Sequence, residues 1–207
     1  VKLPTSLRSI GYGAFEKCEL LKELIIPEGV TKIGNGIINN CTNIKKISLP
    51  STLNTVSRLI DMESSSNVQL EEVVLNDGIK TLGNYAFWNF KNLKNIIIPE
   101  SVTNIGEFAF SECTALSNLT LPDSITEIAV GAFSNCVSLG KVTLPNKLTS
   151  LGNGAFEYCN AEIIFPASLK YIPIMGDNAV TKVTIPEGVK MIGEEAFAYC
   201  SNFTEIT

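Results

Sequence analysis

Six cysteines are the residues best suited to chemistry in this chain of 207 amino acids. Three chemistries compete for them: three disulfides, a thiolate metal site, or burial as small apolar side chains. Position separates these. Cys18, Cys41, Cys113, Cys136, Cys159 and Cys200 each stand 14 residues after a proline-type position, and Phe90 fills the same slot once. A slot that accepts either Cys or Phe is an apolar slot, so reduced, buried thiols are expected. Cysteines in one column would lie about one strand spacing apart, so distance alone leaves pairing open. Zinc is disfavoured, because structural sites need clustered thiolates or imidazoles and the chain has no CxxC and no histidine.

The lack of histidine also removes the usual general base at neutral pH. Two carboxylate pairs, Glu71-Glu72 and Glu194-Glu195, are adjacent in sequence and read as solvated. No phosphate-binding loop, nucleophile elbow or dinucleotide fingerprint is present. Catalysis and a cofactor are therefore not expected in this segment. A net charge of −5 leaves no basic surface for nucleic acid or anionic membranes. Mean hydropathy is +0.22, yet apolar runs such as Ile96-Ile97-Ile98 are far shorter than the roughly 20 residues of a spanning helix.

The prolines show what must position these side chains. Pro4, Pro27 and Pro50 are 23 residues apart; Asn76 takes the slot after 26; Pro99, Pro122 and Pro145 restore 23; Pro166 and Pro186 follow after 21 and 20. Six residues after the slot stand Ile10, Ile33, Leu82, Ile105, Ile128, Leu151 and Ile192. A glycine follows at Gly11, Gly34, Gly83, Gly106, Gly152 and Gly193, with Ala129 the exception, and suits a tight bend or a close backbone approach. Then come Ala14-Phe15, Ala86-Phe87, Ala109-Phe110, Ala132-Phe133, Ala155-Phe156 and Ala196-Phe197, with Ile37-Ile38 in the second repeat. These pairs predict a single helical turn with Phe inward. An alternating stretch such as Leu119-Thr120-Leu121 closes each repeat and reads as a short strand with one buried face.

No repeat of this size buries its apolar face alone, so the repeats must stack. The expected fold is a β-rich α/β solenoid: a right-handed superhelix of about nine repeats of ~23 residues, as one domain over 1–207, with parallel strands on its concave face. Strands about 4.8 Å apart make a stack on the order of 40 Å long. The chain opens within one repeat and stops within another, and reads as a piece of a longer protein whose targeting segment lies elsewhere.

The pattern I-G-x-x-A-F-x-x-C-x-x-L-x-x-I-x-I-P resembles the BspA-like leucine-rich repeats, also called the Treponema-type class, over essentially the whole chain. The resemblance implies a surface or secreted protein, extracellular in location. Several relatives of this kind are adhesins or binders of host proteins. A protein or glycan partner is expected on that basis, with no membrane insertion by this segment. Two other roles stay open: a spacer that projects another domain, and a non-catalytic part of a larger enzyme.

Strand alternation places the residues available for recognition. One outward column reads Glu23, Lys46, Glu72, Asn95, Asn118, Lys141, Glu162, Lys182 and Glu205; the next reads Lys2, Ile25, Ser48, Val74, Ile97, Thr120, Thr143, Ile164, Thr184 and Thr207. Opposite charges and Thr neighbours also suit plain cross-strand pairing. Two repeats break the pattern. The third lacks the Gly and Ala-Phe signals and carries an insertion over 57–66; the eighth reads Ile172-Pro173-Ile174-Met175-Gly176-Asp177-Asn178 at the expected helical turn. Each is either a functional loop or tolerated degeneration. Trp88, the only tryptophan, is expected to pack beside Phe90.

Overall fold

A computed structural model describes residues 2–62 and 68–207. Each coil of the solenoid contributes two short strands. The closing stretches line up as one layer of parallel strands in three hydrogen-bonded groups, and in the first Glu23–Ile25, Lys46–Leu49 and Glu72–Leu75 are neighbours. Asn95–Ile97 pairs with Asn118–Thr120. Lys141–Thr143, Ala161–Ile164, Val180–Thr184 and Glu205–Ile206 form the third group. The stretches after each proline form a second layer, whose five-stranded central sheet joins Thr55–Val56, Thr81–Leu82, Asn104–Ile105, Glu127–Ile128 and Ser150–Leu151. The solenoid of stacked repeats with parallel strands that was read from the sequence is what folds.

Alternation sets the strands. In Lys46–Leu49, Ile47 and Leu49 are wholly buried, while Lys46 and Ser48 face outward. Proline cannot donate to a ladder and ends each stretch. Its carbonyl then starts the turn: Pro27 accepts from the Val30 N–H, Pro99 from Val102 and Pro122 from Ile125. Between the sheets lies one apolar core. Phe87, Phe110, Phe133 and Phe156 stack through it with ring centroids 5.1 to 5.2 Å apart. Such ring pairs add about 1 kcal/mol each beyond their burial.

The Ala-Phe corners are not helical, which corrects the expectation of one helical turn. In the fifth coil the backbone donors alternate. Phe108, Phe110 and Glu112 donate to Val130, Ala132 and Ser134 of the next coil, at 3.0, 2.7 and 2.9 Å. Ala109, Ser111 and Cys113 donate three residues back in their own coil. Phe108 and Glu112 sit at φ of 52° and 66°. A right-handed helix tolerates neither left-handed residues nor donors that leave the element. Among the described residues no helix occurs. The recurring glycine column does not take the left-handed positions. A Cβ on Gly106 would lie 2.7 Å from the Asn84 nitrogen, so close approach between coils is what requires glycine there.

The irregular coils keep the core by other means. Leu59 and Ile60 are wholly buried, and the Ile38 N–H donates to the Leu59 carbonyl as Phe110 donates to Ala132. The start of the third-repeat irregularity is therefore a corner of the solenoid rather than a surface insertion; residues 63–66 of it lie outside the described residues. In the eighth coil the wholly buried Met175 takes the phenylalanine position, its N–H donating to Ala196. Trp88 is half-buried against the core.

Candidate functional site: the outer face of the closing-strand sheet

The register brings both outward columns together. Glu23, Lys46 and Glu72 are cross-strand partners, as are Asn95 and Asn118, and then Lys141, Glu162, Lys182 and Glu205. Beside them run Ile25, Ser48 and Val74, then Ile97 and Thr120, then Thr143, Ile164 and Thr184. Thr207 extends the last ladder opposite Thr184, its N–H donating to the Val183 carbonyl and its carbonyl accepting from Ile185, at 3.0 and 2.8 Å; Lys2 stands outside these pairings among the described residues.

Much of the first column satisfies itself. Lys46 pairs with Glu72 at 2.9 Å, Lys141 with Glu162 at 2.7 Å and Lys182 with Glu205 at 2.9 Å. Lys45 and Glu71 pair at 2.9 Å one residue away, so the Glu71-Glu72 carboxylates are split between two lysines. A hydrogen bond to Glu205 raises the Lys182 ammonium and lowers the carboxyl. Both partners are exposed, so such pairs are worth little.

The middle of the face differs. No hydrogen-bonded ladder joins Glu72–Leu75 to Asn95–Ile97, or Asn118–Thr120 to Lys141–Thr143, among the described residues. Two strands thus form an island between two ion-paired segments. A concavity of about 650 Å³ fills the first seam, lined by Lys46, Glu72, Val74, Asn95 and Ile97 among others. Another of about 390 Å³ lies over Asn95, Ile97, Asn118 and Thr120. Ile97 is 86% exposed between them. Asn95 and Asn118 are exposed, and their amides make no hydrogen bond among the described residues.

The cysteines offer little chemistry. All six are free; five are buried and Cys18, in the first coil, is exposed. The thiols of Cys41, Cys113, Cys136 and Cys159 donate to the carbonyls of Phe15, Phe87, Phe110 and Phe133, at 3.0 to 3.2 Å. Burial pushes Cys113 and Cys159 up to about 12 and Cys41 to about 11, and holds Cys136 well above its ordinary value. A protonated buried thiol is neither a nucleophile nor a ligand. Among the described residues no three Cys, Asp or Glu side chains converge as a metal site.

Sequence reasoning missed one polar cluster. Asp61 accepts from the Tyr12 hydroxyl at 2.6 Å, from Asn39 Nδ2 at 2.9 Å and from an Arg58 guanidinium nitrogen at 2.8 Å. The Asp61 N–H donates to Asn39 Oδ1 at 2.7 Å. Burial disfavours the Asp61 charge, but these three donors outweigh it and lower its pKa. The same bond raises the Tyr12 phenol. Arg58 Nε is buried without a partner, a cost the cluster carries. A Cβ on Gly36, at φ 66°, would lie 2.6 Å from both Asn39 Nδ2 and Asp61 Oδ2. The signal in the sequence was an acid where the repeat expects Phe. The cluster ties the first three coils together.

Six copies of a model of the BspA-type leucine-rich-repeat region match residues 1–60, 58–175 and 174–207. No curated protein matches the chain. Among solved structures, a leucine-rich repeat protein from Bacteroides ovatus is 28% identical with a TM-score of 0.67, over 97% of this chain and 58% of its own. This chain therefore spans little more than half of that protein. The leucine-rich repeat protein of T. pallidum is 29% identical, TM-score 0.60, over 78% of this chain and 68% of its own. One from Eubacterium ventriosum, at 19% identity and TM-score 0.54 over 97% of this chain and 70% of its own, shares the fold. The inter-coil hydrogen bonds, the buried Phe and Cys columns and these matches agree: the chain belongs to the BspA-type leucine-rich-repeat family.

Proposed function

We propose that this chain is a non-catalytic binding module of a cell-surface or secreted protein, adhesin-like, with a protein or glycan ligand. The observation that carries the reading is the island around Ile97, where an exposed aliphatic side chain and two unpaired amides interrupt a column of ion pairs. Side chains without internal duties are free for recognition. Family membership supports a surface or secreted setting; no helix among the described residues is long and apolar enough to cross a membrane. Against catalysis stand the lack of histidine and the buried, protonated thiols.

The test is retention of the immobilised chain on a panel of host extracellular-matrix proteins and on a glycan array. Saturable binding to at least one is expected. No retention on either would remove this reading for the segment. A spacer role is the second reading, and the self-paired lysines and glutamates favour it. It predicts blank panels.

A further inference from the structure

We infer that the occupant of the island is an extended, uncharged peptide segment that lays an aliphatic side chain against Ile97 and Val74. This deepens the binding-module reading and rests on it.

The third coil departs from its neighbours. It runs 26 residues between slots where its neighbours run 23, and its corner is held by the Asp61 cluster. Glu72–Leu75 stays in register with Lys46–Leu49 but forms no ladder with Asn95–Ile97. The seam lies there, and with it an apolar patch at the surface.

Chemistry then selects the occupant. On the rim, Lys45–Glu71 and Lys46–Glu72 already neutralise each other. An acidic occupant would lose water beside Ile97 and find no unpaired cation in the lining of either concavity, and a basic one would find only Glu100, at the edge of the second concavity beyond Ile97, so a charge against Ile97 itself is costly. Asn95 and Asn118 each present a donor and an acceptor, the same pair a peptide group presents. An extended chain offers such groups along one edge while its side chains alternate, so one side chain can face Ile97 as the backbone meets the amides. A glycan would want an aromatic ring to stack on, and neither outward column holds one.

The experiment probes the intact chain with three arrays of short extended peptides, uncharged aliphatic, acidic and basic, beside a glycan array. Uncharged aliphatic peptides should be retained best, with affinity changing less than about twofold as salt is raised. Ile97→Asp, at an exposed site, should weaken them by about tenfold or more, and Lys32→Ala, exposed on the strand Lys32–Ile33 of the other layer, should leave them unchanged. A thermal melt equal to wild type shows that the variants fold. Preference for acidic or basic peptides, or wild-type binding by Ile97→Asp, overturns the inference. Glycan retention without peptide retention overturns it and leaves the binding-module reading standing. Blank arrays together with blank matrix panels defeat both.

Discussion

The Cys136 thiol hydrogen-bonds the Phe110 carbonyl at 3.2 Å, one coil back along the stack. Two columns that look independent in the sequence are thereby one device. Phe fills the core of its own coil, and the cysteine of the next coil caps its carbonyl.

Replacing Phe110 with Ala should cost about 3–5 kcal/mol in denaturant unfolding. The ring lies between Phe87 and Phe133 at 5.1 and 5.2 Å and is wholly buried. Its loss opens a cavity in the middle of a stack that cannot close up without shifting coils.

The thiols predict an alkaline limb. Cys113 and Cys159 are held near 12 in the folded chain, whereas an unfolded thiol titrates near 8.5. The unfolded state therefore binds fewer protons between these values, and stability should fall as pH rises from about 9 toward 12, being fully present below about 8.5. Urea midpoints across that range check it. In the native chain at neutral pH a thiol reagent should label Cys18 alone, and after unfolding without reductant it should count six.

Asp61→Asn should destabilise by about 2 kcal/mol, because Arg58 then sits partly buried without its counter-charge. The wild-type Asp61 pKa is lowered, so its contribution is present above about pH 4 and lost as pH falls below. The variant should show a shallower acid limb in thermal melts.

Most of the fold was legible because the proline slots act as a ruler: once Glu23, Lys46 and Glu72 share an offset, stacking makes them neighbours. The corners were not. Ala109-Phe110 pairs well with a helical turn on paper, and only the direction of alternate N–H groups, toward Ala132 rather than back along the chain, decides otherwise. Leu59-Ile60 escaped notice because its corner is compressed relative to the slot, so the offset points to Ile60-Asp61 instead. Both outward columns were readable residue by residue. The seams beside Asn95–Ile97 and Asn118–Thr120 were not, since residue spacing places strands side by side without saying which neighbours close a hydrogen-bonded ladder.

Lys141→Ala should shift stability by less than about 1 kcal/mol, although its bond to Glu162 is 2.7 Å long. Both side chains are largely in water, where ion pairs are weak and screened. A larger loss in urea melts would mean that the column holds the sheet together.

The central claim is that recognition happens on the outer face of the closing-strand sheet, at its neutral island. Hydrogen exchange of the chain with and without a matrix protein or glycan that it retains tests this directly. New protection is expected to concentrate in Asn95–Ile97 and Asn118–Thr120, with the Thr55–Val56 to Ser150–Leu151 sheet unchanged. Protection confined to that second sheet or to the Phe corners would contradict it.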